Sequence, residues 1–149
     1  LPIITAARVN LVAAEAAERG WISADAKSLY EAGVKASFEQ WGAEDVDVYL
    51  ASDKVAYAGT KAQKLEKIAM QRWLSGYMAD GVEAWSDIRR LHVPVIEVGP
   101  AAVGITHIPY RMKYSGAISA SNKKNYESAV SAAFAGTNDA EHRIWWDVK

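Results

Sequence analysis

Apolar residues recur along this chain mostly at helical spacing, and turn residues mark where each run stops. In "TAARVNLVAAEAAERG" the positions Val9, Val12, Ala13 and Ala16 fall at i, i+3, i+4 and i+7, with Arg8, Glu15, Glu18 and Arg19 lying mostly off that stripe. The pattern predicts an amphipathic helix that buries Val9 and Val12, with Thr5 as its N-cap and Gly20 ending it in the left-handed conformation. The next run, "SADAKSLYEAGVKASFEQWG", carries Ala26, Leu29, Tyr30, Gly33, Ser37, Phe38 and Trp41 at helical spacing before Gly42. A short joint at Trp21 and Ile22 makes these two helices an antiparallel hairpin over residues 6–42.

Ala26, Tyr30 and Gly33 reproduce the A-x3-F-x2-A step of a tetratricopeptide second helix, with Tyr and Gly substituted, although an ordinary αα-hairpin produces the same spacing. A short amphipathic piece, "AEDVDVYLAS", and an extended "KVAYAGT" follow. Thr60 and Gln63 then form a capping box, and Leu65, Ile68, Ala69 and Trp73 continue as the apolar stripe of a long helix. Gly76 and Asp80-Gly81 interrupt it, and Asp80 with Glu83 is placed to cap a shorter helix ending near Arg90, so that residues 60–91 hold a long and a short helix. On the short helix Trp85 and Ile88 are expected inside, Asp87 pairs with Arg90, and Arg89 and Arg90 complement the negative helix end. Residues 92–149 read as Pro/Gly-rich extended loops, one helix ("NYESAVSAAF", with Tyr126, Ala129, Val130 and Ala133 on a stripe) and a turn-rich tail. The fold class is therefore mostly α: tetratricopeptide-like helical hairpins with an irregular wrap toward the C-terminus.

A formal charge of −1 over 149 residues gives no reason to expect nucleic acid as a partner. Cysteine is absent, which removes disulfides, thiol catalysis and cysteine metal sites together. No apolar run approaches the roughly 20 residues a membrane helix needs. The chain does not open with Met and enters a helix almost at once, so it reads as a piece of something longer.

Motifs that carry chemistry are missing. His92, His107 and His142 stand isolated, so metal ligation is not expected. The Asp45-x-Asp47 start of a calcium loop fails at Tyr49, where an oxygen ligand is needed. Phosphate-binding loops and a nucleophile elbow are absent. Glycoside hydrolysis needs two facing carboxylates, but Glu15 and Glu18 read as a solvated helix face, Glu83 as a cap and Asp87 as a partner of Arg90. No catalytic residue and no cofactor is therefore assigned.

Six Trp and seven Tyr against two Phe is a skew toward rings with a polar handle, which suit surfaces that stack on a ligand and hydrogen-bond it. Trp21, Tyr49, Tyr57 and Trp145 are the candidate ligand-binding residues, with aromatics as mortar between helices the competing reading.

Six blocks occur in a fixed order: "PIITAARVNLVAAEAAERGW", "AKSLYEAGVKASFEQWG", "KLEKIAMQRWLSGYMADGVEAWSDIRRL", "IPYRMKYS", Asn122 and Asn125 before Tyr126, and the terminal "WWD". Together they resemble the C-terminal part of a SusD/RagB-type outer-membrane nutrient-binding lipoprotein, of the starch-binding-associated subgroup in Bacteroidota. Met112-Lys113 replaces the more usual Leu-Pro, and Ser115 stands where the subgroup often has Pro. The resemblance implies that residues 1–149 form one C-terminal fragment of a larger helical domain. It further implies lipid anchoring at the cell surface through an N-terminal Cys outside this chain, and a SusC-type TonB-dependent transporter as partner. The implied activity is non-enzymatic capture of glycan, starch-like or other polysaccharide, with a peptide-binding RagB-like role or a helical-repeat protein-interaction module as alternatives. Arg72, Arg89 and Arg90 are the candidate contacts to a partner protein.

Overall fold

The structure, a computed structural model, describes residues 4–147. Helices in chain order are α1 (Ala6–Arg19), α2 (Ala26–Trp41), α3 (Val46–Ala51), α4 (Lys61–Ser75), α5 (Gly81–Leu91), α6 (Gly116–Ser121) and α7 (Lys123–Phe134), with no strand among the described residues. They divide into two compact units, Leu1–Val95 and Ile96–Lys149.

In the first unit, α1 begins at Thr5, whose side chain accepts from the Arg8 amide at 3.1 Å, and stops at Gly20, whose φ of 81° needs no Cβ. The buried face of α1 is not the expected one. Ala7, Leu11, Ala14 and Glu15 are inside, while Val9 and Val12 are 54% and 43% exposed. The reason is how closely α2 approaches. A Cβ built on Gly33 would lie 2.6 Å from Leu11 Cγ and 3.2 Å from the Ala7 carbonyl oxygen, so only glycine admits Leu11 at this crossing. Two alanines flanking a leucine make a better ridge for such a groove than β-branched valines do.

Tyr30 of α2 is fully buried, and its hydroxyl donates to the Val55 carbonyl at 2.8 Å. With Leu11, Ala14, Val34, Val55 and Ile68 it forms the core of this unit. The run 54–60, expected to be extended, opens instead within turns: the Val55 and Ala56 amides both donate to the Ser52 carbonyl, at 2.9 and 2.8 Å. That compaction turns Val55 inward, where its side chain joins the core. Both halves of the α4 capping box form, Gln63 N–H to Thr60 Oγ1 at 3.3 Å and Thr60 N–H to Gln63 Oε1 at 2.8 Å. α5 departs from its expected start: Asp80 makes no side-chain cap bond, and Val82 is 61% exposed. Trp85 and Ile88 are half-buried, and the buried positions are Asp87 and Arg89.

In the second unit, Ser115 caps α6, a helix not anticipated from sequence, by accepting from the Ala117 amide at 3.2 Å. α7 buries Val130 and Phe134, four apart on one side, while Ala129 and Ala133 stay exposed. Arg111 is buried with its guanidinium 3.7 Å from the Phe134 ring centre, and donates to Asn138 Oδ1 at 3.1 Å and to the Asp139 carbonyl. Asn138 clamps Tyr114 by accepting from its amide and donating to its carbonyl, each at 2.9 Å.

Candidate functional site

Beside its apolar core the first unit holds a buried ionic layer. Arg72 of α4 donates to Glu15 at 2.6 Å and to Asp87 at 2.9 Å, so one buried guanidinium ties α1 to α5. Arg90 reaches both Glu15 oxygens, at 2.7 and 2.8 Å, and Arg19 adds a third cation at 2.9 Å. Arg8 continues the network to Asp80 at 3.2 Å and Glu83 at 2.5 Å. Glu15 is therefore not on a solvated face: it is 4% exposed. Burial pushes its carboxyl up, but hydrogen bonds from Arg90 and Arg19, with the charge of Arg72, outweigh that and hold it at about 2. A carboxylate so occupied neither donates a proton near neutral pH nor presents a free lone pair to a sugar carbon. Glu18 accepts from the Tyr57 hydroxyl, and Glu83 is engaged by Arg8 rather than by a helix cap.

The three arginines proposed as partner contacts are engaged within the first unit. Arg72 is buried, and Arg90, with its side chain 39% exposed, turns onto Glu15 and Asp87. Arg89 is buried with its guanidinium 3.5 Å from the Trp85 ring centre. Among the described residues, no group of three His, Asp or Glu is placed to hold a metal ion.

The four aromatic candidates fall in different places. Tyr49 of α3 opens onto a cavity of about 810 Å³ between α3, the 52–59 loop and α4. Its ring leans on Phe38 at 5.1 Å, and its hydroxyl accepts from Gln71 Nε2 at 2.8 Å, which fixes ring and oxygen at the cavity wall. Asp53, Lys54 and Glu66 supply further polar groups, and Met70 an apolar patch. The loop forming one wall is pinned by Lys67, whose ammonium donates to the carbonyls of Ala56, Asp53 and Ala58 at 2.6, 3.1 and 3.4 Å. A ring next to mixed donors and acceptors is the arrangement a polyhydroxylated ligand needs.

Tyr57 sets its ring 5.1 Å from Tyr30, and burial followed by the Glu18 hydrogen bond pushes its hydroxyl pKa up, keeping it a neutral donor. Trp21 is 70% exposed at the α1–α2 joint, with the Arg19 guanidinium 5.3 Å from its ring centre. Trp145, 88% exposed, belongs to the second unit. Sequence reasoning missed one aromatic pair, Trp41 and Tyr77, which meet edge to face at 6.0 Å beside Trp73 and Met78 around a hollow of about 410 Å³. Its signal was the run of Tyr77 and Met78 just past the α4 end at Gly76, where neither residue belongs to a helix stripe.

No match is found among the curated proteins. Solved structures do match. A chitin-binding SusD homologue from Flavobacterium johnsoniae is 31% identical, with a TM-score of 0.78 over 96% of this chain and 36% of its own. A SusD homologue from Bacteroides fragilis is 26% identical, with a TM-score of 0.85 over 99% of this chain and 35% of its own. An outer membrane protein from Bacteroides vulgatus is 28% identical, with a TM-score of 0.83 over 98% of this chain and 34% of its own. The chain thus spans about a third of the length of the structures it matches. The SusD-like family described as "Starch-binding associating with outer membrane" matches residues 1–115, and with the helical fold agreeing throughout, this chain belongs to that family.

Proposed function

We propose that this chain is part of a surface protein that binds glycan without chemical conversion and hands it to a SusC-type TonB-dependent transporter in the outer membrane. The observation that carries the reading is the likeness to a chitin-binding SusD homologue at 31% identity over 96% of the chain. The geometry supports it from two sides. Of the carboxylates considered for hydrolysis, Glu15 and Asp87 are neutralised by Arg72 and Arg90, and the Tyr49 cavity offers a ring with polar neighbours. The lipid tether through a Cys outside the chain and the C-terminal position within a larger domain belong to the same reading.

A chitin-type oligosaccharide is the first ligand to try, with a malto-oligosaccharide beside it as the starch-like alternative. Titration calorimetry of the native gene product with chitohexaose and maltohexaose should give saturable heat with at least one of them. Tyr49→Ala should weaken that binding by about tenfold, the worth of one good ring contact. Flat titrations with both sugars would remove the glycan reading and leave peptide capture or protein interaction in its place.

A further inference from the structure

The face of α4 that lines the Tyr49 cavity continues beyond it. Glu66, Lys67, Met70 and Gln71 line the cavity at helical spacing, and Leu74, at i+4 from Met70 and i+7 from Lys67, carries the same face into the hollow of about 410 Å³ beside Trp41, Trp73, Tyr77 and Met78. α2 steps along with it. Phe38, against which the Tyr49 ring leans at 5.1 Å, is followed about one turn on by Trp41, which meets Tyr77 at 6.0 Å. Cavity and hollow therefore lie end to end, and the α4 face that joins them, from Gln63 to Leu74, runs about 17 Å at about 1.5 Å per residue.

We infer that the Trp41–Tyr77 hollow is a second sugar subsite, and that the ligand is an extended oligosaccharide lying along α4 from Tyr49 to Tyr77. The inference rests on the glycan reading and adds to it the length of ligand held. Tyr77 and Met78 are 66% and 81% exposed and Trp41 is 45% exposed, so these side chains are not mortar between helices. Met78 holds φ at 54°, a region that disfavours side chains, so the turn after Gly76 presents Tyr77 and Met78 outward at a backbone cost. The Tyr77 hydroxyl and the Trp41 indole N–H are engaged by no other group among the described residues, which leaves them for ligand hydroxyls while the ring faces meet the C–H face of a pyranose. The two rings stand at 70° to each other and come from separate pieces of chain, which makes a notch rather than the long stripe a partner helix needs. Charge divides the track. Asp53, Lys54 and Glu66 border the cavity, whereas the residues around the hollow are all uncharged, so its occupant is a neutral ring.

Calorimetry of the native gene product with chitobiose and chitohexaose, and with maltose and maltohexaose, tests the track. In the series that binds, the hexamer should bind at least about tenfold tighter than the dimer, because only the longer chain reaches both subsites. Tyr77→Ala should remove most of that gain and leave the dimer's affinity as it was, whereas Tyr49→Ala should weaken both sugars. An unchanged melting temperature of the Tyr77→Ala protein separates a lost contact from a lost fold, as expected for a ring 66% exposed. Tyr77→Phe keeps the ring and should hold the hexamer within about threefold of the parent. Equal affinities for dimer and hexamer overturn the inference and leave the glycan reading standing, as does a Tyr77→Ala protein that binds the hexamer like the parent. Equal losses of dimer and hexamer in that variant also overturn it, and make Tyr77 a structural residue. Flat titrations with all four sugars overturn the inference and the glycan reading together.

Discussion

Gly33 and Glu15 carry more of the first unit than their size or polarity suggests. A methyl group at Gly33 meets Leu11 Cγ at 2.6 Å and the Ala7 carbonyl oxygen at 3.2 Å; the side chain can turn, the backbone oxygen cannot. Gly33→Ala should therefore cost about 1 to 3 kcal/mol in chemical denaturation, and an unchanged midpoint would mean that α1 and α2 are not held at this distance. The glycine was legible in sequence as a small residue one step from Tyr30. Glu15 was not, because periodicity counts a charged residue off the apolar stripe as solvated, and nothing local announces that Arg72 and Arg90 arrive from 57 and 75 residues away. Its titration has a consequence for pH. The folded carboxyl sits at about 2 against an ordinary 4.5, so the unfolded chain binds more protons between those values. The stability Glu15 contributes is complete above about pH 5 and drains as pH falls toward 2. Thermal melts from pH 6 to pH 2.5 should show that decline, and Glu15→Gln should flatten it while lowering stability at pH 6, since Arg72 is then left in the interior with half its counter-charge.

At the scale of elements, local rules succeeded where the deciding contact is local. The Thr60–Gln63 capping box, the Thr5 cap and the Gly20 stop each depend on residues within a turn, and each forms as read. The rules failed where two faces of one helix satisfy the same pattern. On α1 both Val9–Ala16 and Ala7–Ala14 fit a 3.6-residue period, and only the shape of α2 selects between them. α5 failed for a related reason. Asp80 and Glu83 look like first-turn caps, but in the structure both carboxylates accept from Arg8 of α1 instead, a contact that local spacing does not reveal. The candidate site was legible only in part. Tyr49 was named, but the cavity beside it exists because residues 52–58 coil into turns around the Lys67 ammonium, a contact no spacing rule encodes. Lys67→Met should release that wall: amide exchange at 53–58 should rise by at least about tenfold, while exchange in α1 and α2 stays unchanged. A protected loop in that variant would mean that Val55 and Tyr30 alone hold it.

The two units differ in what they can sustain. The first has an apolar core of Leu11, Ala14, Tyr30, Val34, Val55 and Ile68 and an ionic layer that ties α1, α4 and α5 together. In the second, the buried apolar side chains among the described residues are Val130 and Phe134, held beside Arg111 and the Asn138 clamp. Burying a large aliphatic or aromatic side chain is worth about 1.5 to 3 kcal/mol, whereas ordering each residue's backbone costs about 1 to 2, so a core of two such residues does not offset the ordering of a segment this long. The boundary after Val95 therefore separates a unit with a larger buried apolar core from one with a smaller core. Residues 1–95 expressed alone should keep a cooperative thermal transition with helical circular dichroism, and residues 96–149 alone should show neither. Because the Tyr49 cavity lies wholly within the first unit, any glycan bound there by residues 1–149 should still be bound by residues 1–95 with its affinity within about threefold, roughly 0.6 kcal/mol. Binding that vanishes with the second unit while the first stays folded would move the ligand to Trp145 or another exposed ring beyond Val95, and Tyr49 would then be a structural residue.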